Sequence, residues 1–121
     1  MTTIEELKSI LEVLKNTGGV EASAVASRDG LLICSTIPNK RAEIFVAMAA
    51  TMIGAAETAA NELGQGIPDR IIVESKNGKI IGTGAGDRAF LIVMAKNDGN
   101  IDTIIGETVI ASEKIKQLLN N

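Results

Sequence analysis

The sequence predicts an α/β (α+β) sandwich with the element order αββαβββα, in which a five-stranded antiparallel sheet has helices on both faces. Segments of helical periodicity alternate with β-prone runs that are joined by turn residues. One run, Ala89 to Ala95 (AFLIVMA), is apolar at every position, as expected of a central strand whose sheet is covered on both sides. With 121 residues and no linker or repeat, the chain is expected to form a single domain over residues 1–121.

A helix and a hairpin are predicted for the first part of the chain. Thr3 to Lys15 has apolar residues at helical spacing, and Gly18-Gly19 ends this pattern. Val20 to Ser27 and Leu31 to Thr36 then flank Arg28-Asp29-Gly30. Because an Asp-Gly turn between β-prone runs is a strong hairpin signal, these two runs are predicted to pair as antiparallel strands.

A long helix, three strands and a last helix are predicted to follow. Pro38-Asn39 is expected to end the second strand and to cap a helix from about Lys40 to Leu63, which Gly64-Gln65-Gly66 closes. The remaining predicted elements are the strands Asp69 to Ser75, Gly78 to Gly84 and Arg88 to Lys96 and the helix Asn100 to Leu119.

The long helix contains a charge-free run, Ile44 to Ala56, whose apolar arc is wider than the roughly 100° that a helix with one buried face needs. A domain this short cannot surround a helix completely. The run itself is shorter than the ~20 apolar residues of a membrane span, so a second chain is the expected cover. The first stripe of the arc is Phe45, Met48, Met52, Ala56 and Leu63. The adjoining stripe, expected at a dimer interface, is Val46, Ala49, Ile53 and Ala60.

Composition excludes several functional classes. Lysine and arginine are scattered, the net charge is −3, and the chain has no Tyr, Trp or His, which argues against nucleic-acid binding. The single Cys34 cannot form an internal disulfide. Together with an N-terminus that begins as a capped helix rather than a signal peptide, it favours the cytoplasm. Without His or clustered Cys, no metal or cofactor site is expected.

No catalytic constellation stands out in the sequence. Gly82 to Gly86 is glycine-rich, but it lacks the P-loop lysine and is followed by another strand, which favours a plain hairpin over a nucleotide site. Cys34 has no histidine to activate it, so a structural strand cysteine is favoured over a nucleophile. Glu57 and Glu62 are expected at helix ends or on solvent faces. Arg28 is expected to be a solvated turn residue rather than an arginine finger.

The order of elements and three segments closely resemble the Roadblock family, which includes dynein light chains and MglB-like regulators. The segments are Ser27 to Ser35 (SRDGLLICS), Ala47 to Gly64 (AMAATMIGAAETAANELG) and Ile71 to Ala95, the last resembling the family's three-strand meander. The resemblance implies a profilin-like sandwich that dimerises through its long helix and third strand. It also implies a platform for Ras-like GTPases or an adaptor in a larger assembly.

The third strand is expected to form the dimer as a free sheet edge, since its proline lies only ahead of it at Pro68. Antiparallel pairing with a second copy, centred on Ile72, would place Arg70 opposite Glu74 and Ile71 opposite Val73.

The function expected from this resemblance is a non-enzymatic adaptor that forms a homodimer, or pairs with a paralogue, and modulates the nucleotide cycle of a small Ras-like GTPase. Small residues let another backbone approach closely, and a weakly polar strip of them is the candidate GTPase-binding face, with plain solvent exposure as the alternative. The strip is Glu43, Ala47, Ala50, Gly54, Thr58 and Asn61. A structural subunit with no GTPase partner and a small-molecule sensor remain the competing classes.

Overall fold

The elements of the computed structural model, which describes residues 2–38 and 40–120, follow the predicted order. The helices are α1 (Thr3–Lys15), α2 (Arg41–Glu62) and α3 (Ile101–Asn120). The strands are β1 (Val20–Ser27), β2 (Leu32–Ser35), β3 (Ile71–Ser75), β4 (Gly78–Gly84) and β5 (Ala89–Ala95). The predicted fold class is confirmed, and the largest difference at an element boundary is that β3 begins at Ile71 rather than Asp69.

The five strands form one antiparallel sheet in the order β2-β1-β5-β4-β3. The apolar strand β5 lies at its centre, where Leu91 pairs with Val25 of β1 and Val93 pairs with Ile81 of β4. Alternate residues of a strand point to opposite faces, so β5 supplies side chains to two cores. This explains why it is apolar at every position.

Two hydrophobic cores lie on opposite faces of the sheet. On one face, Leu7 and Leu11 of α1 and Ile115 of α3 pack around Leu91. On the other face α2 packs on the sheet, and Ile53 lies so close to Gly82 that a Cβ at that glycine would meet the Ile53 side chain at 2.6 Å. The sheet therefore separates a two-helix layer from a one-helix layer.

The predicted turns and caps are found at most positions. Thr2 accepts a hydrogen bond from the Glu5 amide at 3.2 Å and caps α1. Gly30 has φ +86°, a conformation that favours glycine, in the turn between β1 and β2. Helix α2 ends in paired bonds from the Gly64 and Gln65 amides back to its last turn, a Schellman arrangement. Its N-cap is Lys40, which makes no side-chain capping bond, while the predicted capping residue Asn39 lies outside the described residues.

Helix α2 is longer than the charge-free run within it. Among the described residues, it is a helix whose length and composition would allow it to cross a membrane. The criterion is met over a window longer than Ile44 to Ala56, the run on which the length argument rested. This is weak evidence for a membrane span, because the core helix of a soluble protein has the same properties, and α2 packs on the sheet.

Candidate interaction site on helix α2

The outward side of α2 is apolar and lacks charge over four turns. Ile44 and Met48 are 65% and 62% exposed. The hydroxyls of Thr51 and Thr58 donate to the carbonyls of Ala47 and Gly54 in their own helix, at 2.9 and 3.0 Å, so neither hydroxyl needs water as an acceptor. We name this surface the outer face of α2 and define it as Ile44, Ala47, Met48, Thr51, Ala55, Thr58 and Ala59, all of them exposed.

Beside the outer face, part of the sheet is uncovered on the same side. Helix α2 packs mainly over β1 and β2, and less over β4 and β5. Ile71 and Val73 of β3 and Ile80 of β4 are consequently only half-buried. Val73 pairs with Ile80, so these side chains form one apolar patch, which we name the open sheet face. Its outer boundary is β3, an edge strand as predicted.

The structure corrects which stripe of α2 is free to meet a second chain. Val46, Ala49 and Ile53 were expected at the dimer interface, but they are 0%, 4% and 1% exposed and pack on the sheet of their own chain. Ala60 is half-buried. The sheet therefore buries this stripe, whereas Met48 of the adjoining stripe is exposed. Sequence periodicity could not separate the two stripes because both are apolar.

The structure places the residues of the predicted pairing on or beside the edge strand β3. Arg70 precedes the strand, and Arg70, Ile72 and Glu74 are exposed. Ile71 and Val73 face the α2 side, because they pair with Gly82 and Ile80. The structure contains a single chain, so the register between two copies stays a prediction.

The strip expected to bind a GTPase lies along the flank of α2 next to the β1–β2 turn. Glu43, Ala47, Thr58 and Asn61 are exposed and Gly54 is half-buried. Ala50 is an exception that corrects the prediction: it is 5% exposed, because the turn at Gly30 lies against it. At its C-terminal end the strip opens into a cleft of about 340 Å³, lined by Arg28, Glu57, Thr58, Asn61, Ile67 and Asp87.

Arg28 lines this cleft and is exposed at the turn, as expected, but its guanidinium is held by neighbouring groups. Its guanidinium donates to the Glu57 carboxylate at 2.8 Å and to the Gly86 carbonyl at 2.6 Å. It also stacks over the Phe90 ring, 4.2 Å from the centroid. Gly84 leaves room for it, since a Cβ there would lie 2.7 Å from a guanidinium nitrogen. Arg28 thus joins two turns to α2, and Glu57 is its partner rather than a solvent-facing residue.

Cys34 and the glycine-rich segment Gly82 to Gly86 were both interpreted as structural, and each has a defined position in the fold. Cys34 is 5% exposed on β2, and burial raises the pKa of its thiol to about 11, opposed by the charge of nearby Lys8. Gly82 to Gly86 ends β4 and begins the turn to β5, with the Gly86 carbonyl held by Arg28. Across residues 2–38 and 40–120, no group of three or more acidic, Cys or His side chains is placed to hold a metal ion.

A second hollow lies at the other end of α2. It has a volume of about 400 Å³ and is lined by Ile37, Pro38, Arg41, Phe45 and Met94. Its lining is apolar apart from Arg41, and it adjoins the open sheet face through Met94, which pairs with Ile80. The hollow is therefore continuous with the open sheet face.

These surfaces belong to an α/β sandwich that is shared by proteins of known structure. The gliding protein MglB of Thermus thermophilus superimposes with a TM-score of 0.87 at 15% identity, covering 98% of this chain and 91% of that one. Profilin IA of Acanthamoeba castellanii gives a TM-score of 0.66 at 13% identity over 96% of this chain and 98% of its own. The fold is therefore profilin-like, as the sequence implied.

Sequence comparison defines the family. The Roadblock/LC7 domain model matches residues 6–95. An uncharacterised protein of Methanocaldococcus jannaschii is 36% identical over 90% of this chain and 96% of its own length. The chain belongs to the Roadblock/LC7 domain family, which confirms the resemblance seen in the sequence.

Proposed function

We propose that the protein is a non-enzymatic homodimeric adaptor of the cytoplasm that binds a small Ras-like GTPase and modulates its nucleotide cycle. The observation that carries the proposal is the apolar outer face of α2, which lies beside the open sheet face and the free edge of β3. Roadblock membership and the MglB-like fold support the same assignment. The alternative is a structural subunit of a larger complex that has no GTPase partner.

The proposed dimer uses one continuous surface of each chain. Its components are the outer face of α2, the open sheet face and the β3 edge. Pairing of two β3 strands would satisfy their free backbone groups and extend the sheet across both copies. The interface is thus built from exposed or half-buried residues, in place of the buried stripe that the sequence indicated.

A charge-reversal experiment tests the β3 pairing. Arg70→Glu places like charges opposite Glu74 of the second copy, and we expect it to weaken the dimer by about 1–2 kcal/mol over two symmetric contacts. Adding Glu74→Arg should restore it. Sedimentation equilibrium measures the dissociation constant, with Arg88→Glu as the matched control on the β4–β5 turn. Unchanged dissociation constants for both single reversals would refute the pairing.

The GTPase partner is tested by direct binding. Small Ras-like GTPases encoded near this gene are loaded with GDP or a non-hydrolysable GTP analogue, and binding is followed by calorimetry. We expect binding that depends on the nucleotide and changes its hydrolysis or exchange rate. Asn61→Arg, in the exposed strip but outside the outer face of α2, should abolish binding, whereas Glu113→Lys on α3 should not. A dimer that binds none of these GTPases would favour the structural-subunit alternative.

A further inference from the structure

A groove between α1 and α3 lies on the face of the sheet opposite α2. It has a volume of about 200 Å³, and Ile10, Val13 and Ile110 supply apolar walls. Val13 and Ile110 are 58% and 50% exposed, and the neighbouring Val109 is 51% exposed. This apolar area belongs neither to the proposed α2–β3 interface nor to the cleft at Arg28.

Two opposite charges flank the groove on α3. Glu107 lies one turn before Ile110, and Lys114 lies one turn after it, and both line the groove. Neither forms a salt bridge within residues 2–38 and 40–120. An occupant that complements this groove would be a helix with a cation at one end, an anion two turns away, and an apolar side chain between them.

Helix α3 itself has this pattern when it runs in the opposite direction. A second copy of α3, docked antiparallel about a twofold axis near Ile110, brings its Lys114 to Glu107 and its Glu107 to Lys114. Self-complementarity of this kind is required of an isologous interface, because each contact occurs twice. A second copy of this chain therefore satisfies the charge pattern of the groove at both contacts.

Gly106 provides an independent argument for close helix approach. It is exposed within α3, one turn before Ile110, and a Cβ added there would meet nothing within 4 Å. Packing within the chain does not require glycine at this position, and glycine lowers helix stability. Its absent side chain leaves space for the backbone of a docked helix.

We propose that the α1–α3 groove is a second self-association surface, in which α3 of one copy docks antiparallel on α3 of another through reciprocal Glu107–Lys114 contacts. Since this surface and the α2–β3 surface lie on opposite faces of the sheet, both can be occupied at once. A chain with two such surfaces forms dimers of dimers, or an open array when the two axes do not close.

Analytical ultracentrifugation from low micromolar to submillimolar concentration tests the proposal. Glu107→Lys or Lys114→Glu alone should raise the dissociation constant of this step about tenfold or more, because each of two symmetric contacts becomes repulsive. The double reversal should restore the wild-type value. Lys116→Glu is the matched control, at an exposed site on α3 that does not line the groove. The proposal fails if wild type and Glu107→Lys have the same mass throughout, or if the double reversal does not restore association.

Gly106→Leu gives a second test that does not depend on charge. Leucine favours helix formation, so the midpoint temperature of unfolding of this variant should be at least that of wild type. Its association through the groove should nevertheless be weaker. The same measurements on a Met48→Glu protein, in which the α2–β3 surface is weakened, separate the two surfaces. The association step that is sensitive to Glu107→Lys should persist in that protein. If Gly106→Leu associates as wild type does, the close approach of two α3 helices is ruled out.

Discussion

Arg28 shows how one side chain can fix several loops. Its planar fork reaches Glu57 on α2 and the Gly86 carbonyl after β4, while its face rests on Phe90. Lysine offers a point charge and cannot reproduce this combination of a fork and a stacking plane. We name these contacts of Arg28 with Glu57, Gly86 and Phe90 the clamp. No local sequence pattern indicates it, because Arg28 and Glu57 are 29 positions apart and their contact depends on the tertiary fold.

Removal of this clamp should lower stability and loosen the cleft. We expect Arg28→Ala to reduce the free energy of unfolding by about 1–2 kcal/mol, since the ion pair is partly exposed and the carbonyl bond and ring contact add to it. Urea unfolding followed by circular dichroism measures this value. Arg88→Ala, an exposed arginine on the neighbouring turn, should change it by less than about 0.5 kcal/mol. Equal effects of the two substitutions would contradict the clamp.

Cys34 makes stability depend on pH in the alkaline range. Burial raises its pKa from 9.0 to about 11, so the folded state holds the proton more tightly than the unfolded state. The contribution is fully present below pH 9 and is lost as the pH rises from 9 to 11. Between pH 8 and pH 10, wild type should lose about 1 kcal/mol more than Cys34→Ala, which has no thiol to ionise. Parallel stability curves for the two proteins would contradict this.

At the scale of elements, hydrophobic patterning predicted the strands and helices well, and the orientation of α2 poorly. The hairpin turn, the apolar β5 and the glycine-terminated helix each carry a local signal, which is why their positions were found. The choice between the Ile53 stripe and the Met48 stripe depends on where β1 and β2 lie beneath the helix. Burial of Ala50 under Gly30 is likewise a tertiary contact, and neither could be read from periodicity.

The reassigned stripes of α2 predict opposite outcomes for two similar substitutions. Ile53→Asp buries an unpaired charge in the core, which costs several kcal/mol, so we expect an unfolded chain rather than a folded monomer. Met48→Asp alters an exposed side chain, and should leave a folded protein that dimerises weakly. Circular dichroism reports the fold and light scattering reports the mass. A folded, dimeric Ile53→Asp protein would show that the stripes have been assigned wrongly.

At the scale of the whole molecule, the chemistry of the proposed function lies with the partner. The sequence contains no P-loop motif, and Gly82 to Gly86 leads into the turn before β5. The Gly86 carbonyl already accepts a hydrogen bond from Arg28. Regulation would therefore proceed through the surfaces of α2, which can hold or reshape a bound protein.

Purified protein alone should release no phosphate from GTP or ATP. The expected result is a rate equal to that of the buffer in a phosphate-release assay, with and without Mg²⁺. A positive control with an active GTPase shows that the assay is sensitive. Turnover that survives repeated purification and is lost in Asp87→Ala or Arg88→Ala would overturn this expectation and assign chemistry to the β4–β5 turn.

The central position of β5 also bears on how the chain folds during synthesis. Strand β1 lies between β2 and β5. Because Val25 pairs with Leu91, the sheet cannot form completely until about three quarters of the polypeptide has been made. Until then β1 and the inner side of α2 present apolar surface to the surroundings, the state in which nascent chains are prone to aggregate. Insertion of β5 completes the core under α2, whereas the core on the opposite face is complete only after α3 has been made. A ribosome that stalls before Ala89 would therefore hold a chain in which neither core is complete.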